Sequence, residues 1–346
     1  MLARLLLRLL GLLLILTAVG IALSRAPDRP VQTLVARWAP PPSDFIEVRG
    51  QLVHIRDEGR RDDPLPLLLI HGTSASLHTW EGWVRALRGQ RRVISFDLPG
   101  FGLTGPFAGE YKQGDTRGDY SGDAYARFVL DLLDALKLQR AVIGGNSLGG
   151  EVAWRVAYLA PQRVAALVLV DAAGLPFTPL SVPLGFRIVR VPVLNRISEW
   201  LLPRSLVAQG LANVYGDPAK VTPELVERYF ELTLREGNRR ALRERMQSLV
   251  MGQDSERVAT LRLPTLILWG GRDRLIPPDV GRQMQAQIAG SRLIVYDELG
   301  HVPHEEDPAR TVAAVREFLA QPLGDAPTAV VAPPVISPPA APAAPR

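Results

Sequence analysis

A serine flanked by glycines, at the end of an apolar run, limits this chain to few folds. Ala141–Gly145 is short and apolar, and Gly145-Asn146-Ser147-Leu148-Gly149 follows it directly, before a helix-like stretch over Leu148–Tyr158. In a strand-turn-helix, glycines two positions either side of the serine let strand and helix approach closely and expose the hydroxyl. The pattern predicts Ser147 as a nucleophile on a strained turn, although G-x-S-x-G alone also occurs in ordinary loops.

Short β-branched or leucine-rich runs alternate with helical stretches along the chain, as expected of an α/β fold. The first two runs are predicted to form an antiparallel hairpin, and the later ones are apolar enough to be parallel strands covered on both faces. The eight predicted strands are Phe45–Val48, Gln51–Arg56, Leu67–Ile70, Val93–Asp97, Ala141–Gly145, Ala166–Asp171, Thr265–Gly270 and Arg292–Tyr296. The predicted helices between them are Ser121–Leu138, Leu148–Tyr158 and Thr311–Ala320.

A long insertion separates the sixth and seventh predicted strands. It runs from Ala172 to Pro264, far beyond the few residues that a connecting loop needs. Within it, Pro223–Leu234 and Arg239–Met251 have the apolar spacing of helices. The sequence therefore predicts a mostly helical cap over the carboxyl edge of the sheet, where open α/β sheets bind ligands.

The N-terminus carries an apolar segment that directs the chain to a membrane. As a helix, Leu5–Leu23 would cover roughly 28 Å, close to the thickness of a bilayer core. A cleaved signal peptide is the alternative, because Arg4 and Arg8 lie at its start and small residues follow it. The apolar run is longer than a typical signal sequence, which favours an anchor. Because so short an N-terminal tail is hard to translocate, we expect the catalytic domain on the extracytoplasmic side.

These features divide the chain into six predicted segments. They are an anchor or signal segment at 1–25, a stalk at 26–44, the first part of an α/β core at 45–171, the cap at 172–263, the second part of the core at 264–321 and a Pro/Ala-rich tail at 322–346. The composition of the tail is typical of disordered chain. No chemistry is assigned to either end.

Composition and charge exclude several classes of function. The formal charge is +5, but the basic residues are nearly all arginines spread over unrelated segments, so nucleic acid is not an expected partner. With no cysteine, a thiolate nucleophile and a cysteine zinc site are excluded. Residues 100–105 match the dinucleotide pattern G-x-G-x-x-G, but Pro99 and Pro106 flank them and leave no helix to hold a pyrophosphate. We expect no metal or organic cofactor.

A serine hydroxyl is a weak nucleophile unless an adjacent imidazole takes its proton. His301 follows the last predicted strand, as the order serine, acid, histidine requires, and is favoured over His304. The other histidines are interpreted as surface, packing or loop-shaping residues; they are His54, His71 and His78.

The acid that orients the histidine should follow an earlier strand. Asp273, just past the strand Thr265–Gly270, fits this position. The alternative acids are Asp279, Asp297 and, after the sixth strand, Asp171. Two backbone N–H groups, those of Leu148 and Thr73, are predicted to stabilise the oxyanion, because one directly follows the nucleophile and the other lies in the loop after the third strand.

Together these motifs resemble the α/β-hydrolase superfamily, in particular its cap-bearing bacterial esterases, lipases and carbon–carbon bond hydrolases. The motifs are His71-Gly72-Thr73, Asp97-Leu98-Pro99-Gly100-Phe101-Gly102, Gly145-Asn146-Ser147-Leu148-Gly149-Gly150, Trp269-Gly270-Gly271-Arg272-Asp273 and Gly300-His301-Val302-Pro303-His304-Glu305. The resemblance covers about Phe45 to Ala320. It implies the α/β-hydrolase fold: an eight-stranded, mostly parallel sheet with helices on both faces and an inserted helical cap.

The resemblance implies hydrolysis through an acyl-enzyme on Ser147, since the dehalogenase and epoxide-hydrolase branches use aspartate there. Carbon–carbon hydrolases of ring-cleavage products share Asn146, but they commonly carry tryptophan where this chain has Val302. A small-molecule ester, lipophilic because of the membrane segment, is therefore the expected substrate. The alternatives are carbon–carbon hydrolysis and a non-catalytic binding or envelope-scaffold module. The sequence leaves acyl chain length and oligomeric state open.

Overall fold

The computed structural model describes residues 1–113, 117–191 and 194–323. Its centre is an eight-stranded sheet. The strands are β1 (Ser43–Val48), β2 (Gln51–Gly59), β3 (Leu67–Ile70), β4 (Arg92–Phe96), β7 (Ala141–Asn146), β8 (Val164–Val170), β9 (Thr265–Gly270) and β10 (Arg292–Tyr296). Their order across the sheet is β1-β2-β4-β3-β7-β8-β9-β10. A separate antiparallel pair consists of β5 (Lys112–Gln113) and β6 (Arg117–Gly118).

Helices fill the connections between the strands. Those of the described residues are α1 (Leu2–Ser24), α2 (Gln32–Trp38), α3 (Glu81–Leu87), α4 (Gly122–Ala135), α5 (Leu148–Leu159), α6 (Leu184–Arg190), α7 (Leu194–Ile197), α8 (Arg204–Val214), α9 (Pro223–Thr233), α10 (Asn238–Ser248), α11 (Pro278–Gln287), α12 (Pro303–Glu306) and α13 (Pro308–Leu319). Polar caps begin several of them. The hydroxyl of Ser121 accepts from Ala124 N ahead of α4, and the carboxylate of Asp307 accepts from Arg310 N ahead of α13.

The sheet is covered on both faces, as predicted. Alternate residues of β3 point to opposite sides, so that Leu68 and Ile70 join the core beneath α4, α5 and α11, whereas Leu67 and Leu69 join the core beneath α3 and α13. The central strands β7, β8 and β9 are buried along their whole length. Burial on both faces explains why these strands are continuous apolar runs in the sequence.

The eight predicted strands are all present, and the first two form the predicted hairpin. Strand β2 also pairs antiparallel with β4, and every other pairing in the sheet is parallel. The predicted strand ends differ from the observed ones by up to three residues, and the short pair β5–β6 was not predicted. These findings confirm the α/β-hydrolase fold that the sequence predicts.

Helices α6 to α10 form the inserted cap between β8 and β9. The helices predicted at Pro223–Leu234 and Arg239–Met251 correspond to α9 and α10. The other cap helices, α6, α7 and α8, were not predicted individually, because prolines interrupt that part of the sequence. The predicted disordered tail lies outside the described residues from residue 324 onward.

The N-terminal segments pack onto the cap. Helix α1 is exposed over most of its length and is long and apolar enough to cross a membrane, a test that a signal sequence also passes. At its end, Leu202 N donates to Ser24 O and Ala26 N donates to Trp200 O, both at 2.9 Å. The stretch predicted as a stalk contains α2, whose Leu34 is buried, so the part that follows α1 is packed rather than extended.

Candidate active site

Ser147 occupies a strained turn between β7 and α5. Its backbone has φ 54° and ψ −116°, a region that residues other than glycine rarely adopt. A Cβ on Gly145 would lie 2.1 Å from Gly149 O, and a Cβ on Gly149 would lie 2.1 Å from Ile70 O. The two glycines therefore allow the close contact between strand and helix that holds Ser147 in this conformation.

His301 and Asp273 form a buried hydrogen-bonded pair. The Nδ1–H of His301 donates to Asp273 Oδ2 at 2.6 Å, and Asp273 Oδ1 accepts from the backbone N–H groups of Leu275 and Ile276 at 2.8 and 2.9 Å. The backbone N–H of His301 donates to Val214 O of the cap at 2.7 Å. Because the carboxylate only accepts, Nδ1 carries the proton and Nε2 keeps a free lone pair, as a general base requires. His301 and Ser147 line the same cavity.

The alternative acids occupy different positions. Asp279 is exposed and pairs with Arg282, and Asp297 is also exposed. Asp171 is fully buried, and its Oδ1 accepts from Gly270 N at 2.9 Å rather than from His301. Asp273 is thus the acid that the structure joins to the histidine.

Asp171 nevertheless lies beside Asp273. Burial, followed by repulsion from the Asp273 carboxylate, raises the pKa of Asp171 well above its ordinary value, which favours the neutral acid. Its Oδ2 has no hydrogen-bond partner among the described residues, so nothing at that oxygen offsets the cost of burying a negative charge. The raised pKa and the missing partner both favour a neutral Asp171 beside the acid that pairs with His301.

One group of possible metal ligands occurs in the described residues: Asp171, Asp273 and His301, whose ligand atoms lie within 4.8 Å of one another. Within this group, His301 Nδ1 and Asp273 Oδ2 are 2.6 Å apart and already share a hydrogen bond. A metal between them would have to break that bond, because each ligand needs about 2 Å to a metal. We assign no metal to this group.

The other histidines stabilise the loops around the site. His71 Nδ1–H donates to Gly72 O at 2.7 Å, and its Nε2 accepts from Leu98 N at 2.9 Å. His54 is fully buried, with Nδ1 2.7 Å from Asp97 Oδ2, so it is a packing residue rather than a surface one. His304 is buried against Trp80, at 4.0 Å between ring centroids. Burial, with a smaller effect of the nearby His301, holds the pKa of His304 well below its ordinary value.

The two predicted oxyanion donors are near the serine. Thr73 and Leu148 line the cavity together with Ser147. A Cβ on Gly72 would lie 3.2 Å from Ser147 Cβ, so the loop after β3 passes directly beside Ser147. Leu148 is the first residue of α5, where backbone N–H groups have no acceptor within the helix. Both positions suit a donor to an oxyanion, and the roles remain predictions.

Two residues that support the site were not assigned a role from the sequence. Asn146 Nδ2 donates to Val170 O at 3.1 Å and to His301 O at 2.9 Å, so it connects the turn that carries Ser147 to the loop that carries His301. The carboxylate of Glu306 accepts from Gly216 N, Asp217 N and Gly300 N at 2.8 to 2.9 Å. Glu306 thereby connects the cap to the histidine loop, and no local sequence signal indicated these partners.

The cavity above Ser147 has a volume of about 820 Å³ and mostly apolar walls. The cap contributes most of the wall residues. Examples are Leu184, Ile188, Leu206, Leu211, Leu242 and Met246. Two buried arginines in the wall are already paired, Arg239 with Asp28 and Arg245 with Glu151. The site therefore suits a largely apolar ligand.

Sequence comparison relates the chain to known proteins. Residues 66–308 match the family model described as alpha/beta hydrolase fold. An uncharacterized protein of Mycobacterium tuberculosis is 30% identical over 303 residues, which cover 84% of each chain. A 2-hydroxymuconate semialdehyde hydrolase of Pseudomonas is 29% identical over 287 residues, which cover 80% of this chain and 93% of that one.

Solved structures give the same relationship. A meta-cleavage product hydrolase of Pseudomonas fluorescens is 26% identical with a TM-score of 0.66, over 80% of this chain and 97% of that one. An esterase of Thermogutta terrifontis is 25% identical with a TM-score of 0.62, over 80% of this chain and 98% of that one. The relatives thus include hydrolases named for carbon–carbon cleavage and for ester cleavage.

Proposed function

Because this chain is a hydrolase that belongs to the α/β-hydrolase family, we propose that it cleaves lipophilic carboxylic esters through an acyl-enzyme on Ser147. The observation that carries the proposal is the buried Asp273–His301 pair, at 2.6 Å, in a cavity that also contains a serine on a strained turn. An idle binding or scaffold module would not need a histidine oriented by a buried acid, so that alternative receives no support from the geometry.

The proposed reaction has two steps. Ser147 Oγ attacks the ester carbonyl while His301 Nε2 takes its proton, and the N–H groups of Thr73 and Leu148 stabilise the oxyanion. His301 then protonates the departing alcohol, which leaves an acyl group on Ser147. Water, deprotonated by His301, attacks the acyl-enzyme; the bond to Ser147 Oγ then breaks, Oγ takes the proton back from His301, and the carboxylic acid is released. Asp273 keeps the imidazole in the required tautomer and stabilises the imidazolium.

The cavity favours an ester over a ring-cleavage product. Such a product carries a carboxylate, which needs a cationic partner, and the arginines buried in the wall, Arg239 and Arg245, are already neutralised by acids of the protein. Arg190 also lines the cavity, but it is exposed to solvent, where a cation attracts a carboxylate less strongly than in a buried site. Val302 also stands where the carbon–carbon hydrolases commonly have tryptophan. Carbon–carbon cleavage stays the second candidate, because similar proteins from Pseudomonas are named for it.

We further propose that α1 anchors the protein with its catalytic domain on the extracytoplasmic side, export after signal cleavage being the alternative. Helix α1 is 23 residues long, and its end is hydrogen-bonded to the cap, which supports retention as a part of the folded protein. Fractionation of cells together with N-terminal sequencing tests this. A soluble cytoplasmic product that starts at Met1 would contradict it.

The function is tested with p-nitrophenyl esters of increasing chain length beside a vinylogous diketone acid. We expect hydrolysis of the esters and little or none of the diketone. Ser147→Ala should abolish the ester activity. The control Ser291→Ala, in the loop between α11 and β10, should retain it. Ester hydrolysis undiminished in Ser147→Ala would remove Ser147 from the mechanism, and preference for the diketone would replace the ester proposal.

A further inference from the structure

The cap exposes large apolar side chains where the cavity opens. Apart from α1 and the preceding Met1, the large apolar residues that the described chain exposes lie in the cap, except Leu52 and Leu159. We call six of them the cap rim: Leu184, Val191, Leu194, Trp200, Val250 and Met251. The side chains of Trp200 and Val250 are 64% and 62% exposed. Four members of the rim also line the cavity, so the apolar surface continues into the site.

Exposed cations accompany the rim. Arg187 and Arg190 on α6 and Arg196 on α7 are exposed, and none of them forms an ion pair within the described part of the chain. Glu199 is the one acidic residue between positions 180 and 200, and it is paired with Arg243. The face therefore combines exposed apolar side chains with unneutralised positive charge.

The rim also adjoins the end of α1. Trp200 O accepts from Ala26 N, and Leu202 N donates to Ser24 O. Leu201 and Leu202 line the cavity, so the segment that receives the end of α1 is also part of the cavity wall. A bilayer crossed by α1 would consequently have its surface beside this segment.

Short helices that combine exposed apolar residues with arginines, near a tryptophan, are typical of chain that lies at the surface of an anionic membrane. A second copy of the chain fits less well, because a symmetric contact would bring the three arginines of each copy toward those of the other. We propose that the cap rim rests on an anionic phospholipid bilayer and opens the cavity to the lipid phase. The proposed function adds the consequence that the substrate is an acyl ester carried by the membrane.

The contact with lipid can be tested without measuring activity. Trp200 is the exposed member of six tryptophans, and Trp80, Trp83, Trp154 and Trp269 are fully buried. The full chain is reconstituted in phosphatidylglycerol vesicles, with or without lipids brominated on the upper part of the acyl chain. We expect bromine to quench tryptophan emission in the parent and to quench it much less in Trp200→Phe. Equal quenching in both proteins, or no quenching in the parent, would overturn the proposal. No quenching in the parent is also the result expected if a second copy of the chain covers the rim.

A second measurement concerns the arginines. Arg187→Gln/Arg196→Gln should lower hydrolysis of an ester embedded in phosphatidylglycerol vesicles at least tenfold, while a short water-soluble ester is hydrolysed at the parent rate. The control Arg282→Gln/Arg292→Gln removes two exposed arginines of the α/β domain, outside the cap, and should change neither rate of hydrolysis. Equal losses in both pairs would contradict a role for the rim. If the parent hydrolyses no soluble ester, the proposed function fails, and the quenching result still decides the membrane contact.

Discussion

The floor and the roof of the cavity are built in different ways. The floor, at the carboxyl ends of β3, β7 and β9, is buried, and its fit depends on backbone contacts such as that of Gly149 with Ile70 O. The roof is the cap, where a Cβ on Gly185 would meet nothing within 4 Å and large apolar side chains are exposed. The proposed reacting groups thus lie where an added side-chain atom meets fixed backbone, whereas the α6 part of the roof leaves space for one.

The largest expected effect of a substitution is at the floor. Asp273→Asn leaves the shape intact but favours the wrong histidine tautomer, so we expect kcat to fall by about 10⁴. The measurement is steady-state ester hydrolysis at neutral pH. Asp279→Asn, at an exposed carboxylate six residues later, is the control and should keep the parent rate. A loss of less than tenfold in Asp273→Asn would show that His301 does not depend on this acid.

Paired glycine substitutions compare floor and roof directly. Gly149→Ala forces a Cβ against Ile70 O, and we expect it to lower the free energy of unfolding by about 3 kcal/mol or more. Gly185→Ala places a Cβ in open space within α6 and should be neutral or raise stability by about 0.5 kcal/mol. Denaturant unfolding measures both variants. Similar effects at the two positions would contradict the contrast between floor and roof.

Acid should weaken the floor before the roof, because the cap contains no histidine. Burial lowers the pKa of His78 to about 4, and it also lowers the pKa values of His71 and His304. The unfolded chain takes up these protons near pH 6.5, so stability is complete above that pH and falls as the pH drops toward 4. His78 alone contributes a loss of about 3 kcal/mol across this window.

Denaturant unfolding at several pH values from 7 to 4.5 checks the loss. The variant His78→Asn should flatten the dependence on pH, since it removes one of the groups that must stay neutral. An unfolding free energy that is constant over this range would contradict the assignment of neutral histidines beneath the cavity.

The smallest expected effect is at Asp171, beside Asp273. A neutral Asp171 carries no charge, and an asparagine is a neutral side chain of the same shape whose oxygen can still accept from Gly270 N, so Asp171→Asn should change kcat less than about fivefold. The losses of kcat caused by Asp171→Asn and by Asp273→Asn would then differ by about three orders of magnitude. Equal losses in Asp171→Asn and Asp273→Asn would show instead that the two acids act as one unit.

The predictable parts of this molecule are those in which a local pattern reflects a local cause. Strands β7 and β9 are recognisable in the sequence because burial on both faces requires an apolar run. Ser147 is recognisable because the close contact of strand and helix requires glycine at Gly145 and Gly149. His301 and Asp273 follow from chain order, and the structure joins them.

The unpredicted parts depend on partners far along the sequence. Glu306 accepts from Gly216 N, 90 residues away, and Asn146 donates to His301 O, 155 residues away. Asp171 acquires its raised pKa from burial and from Asp273, which lies in another strand's loop. The short cap helices α6 and α7 form where prolines interrupt any long helical pattern, so their stability depends on tertiary contacts. None of these features leaves a periodic or motif signal in the sequence.

The central claim is that Ser147 is an activated nucleophile, and a fluorophosphonate probe tests it without knowledge of the substrate. The full chain is incubated with the probe, digested and analysed by mass spectrometry for the modified peptide. We expect one phosphonylated residue, Ser147, with labelling lost in Ser147→Ala and strongly slowed in Asp273→Asn. A folded parent protein that remains unlabelled at Ser147 would contradict the account.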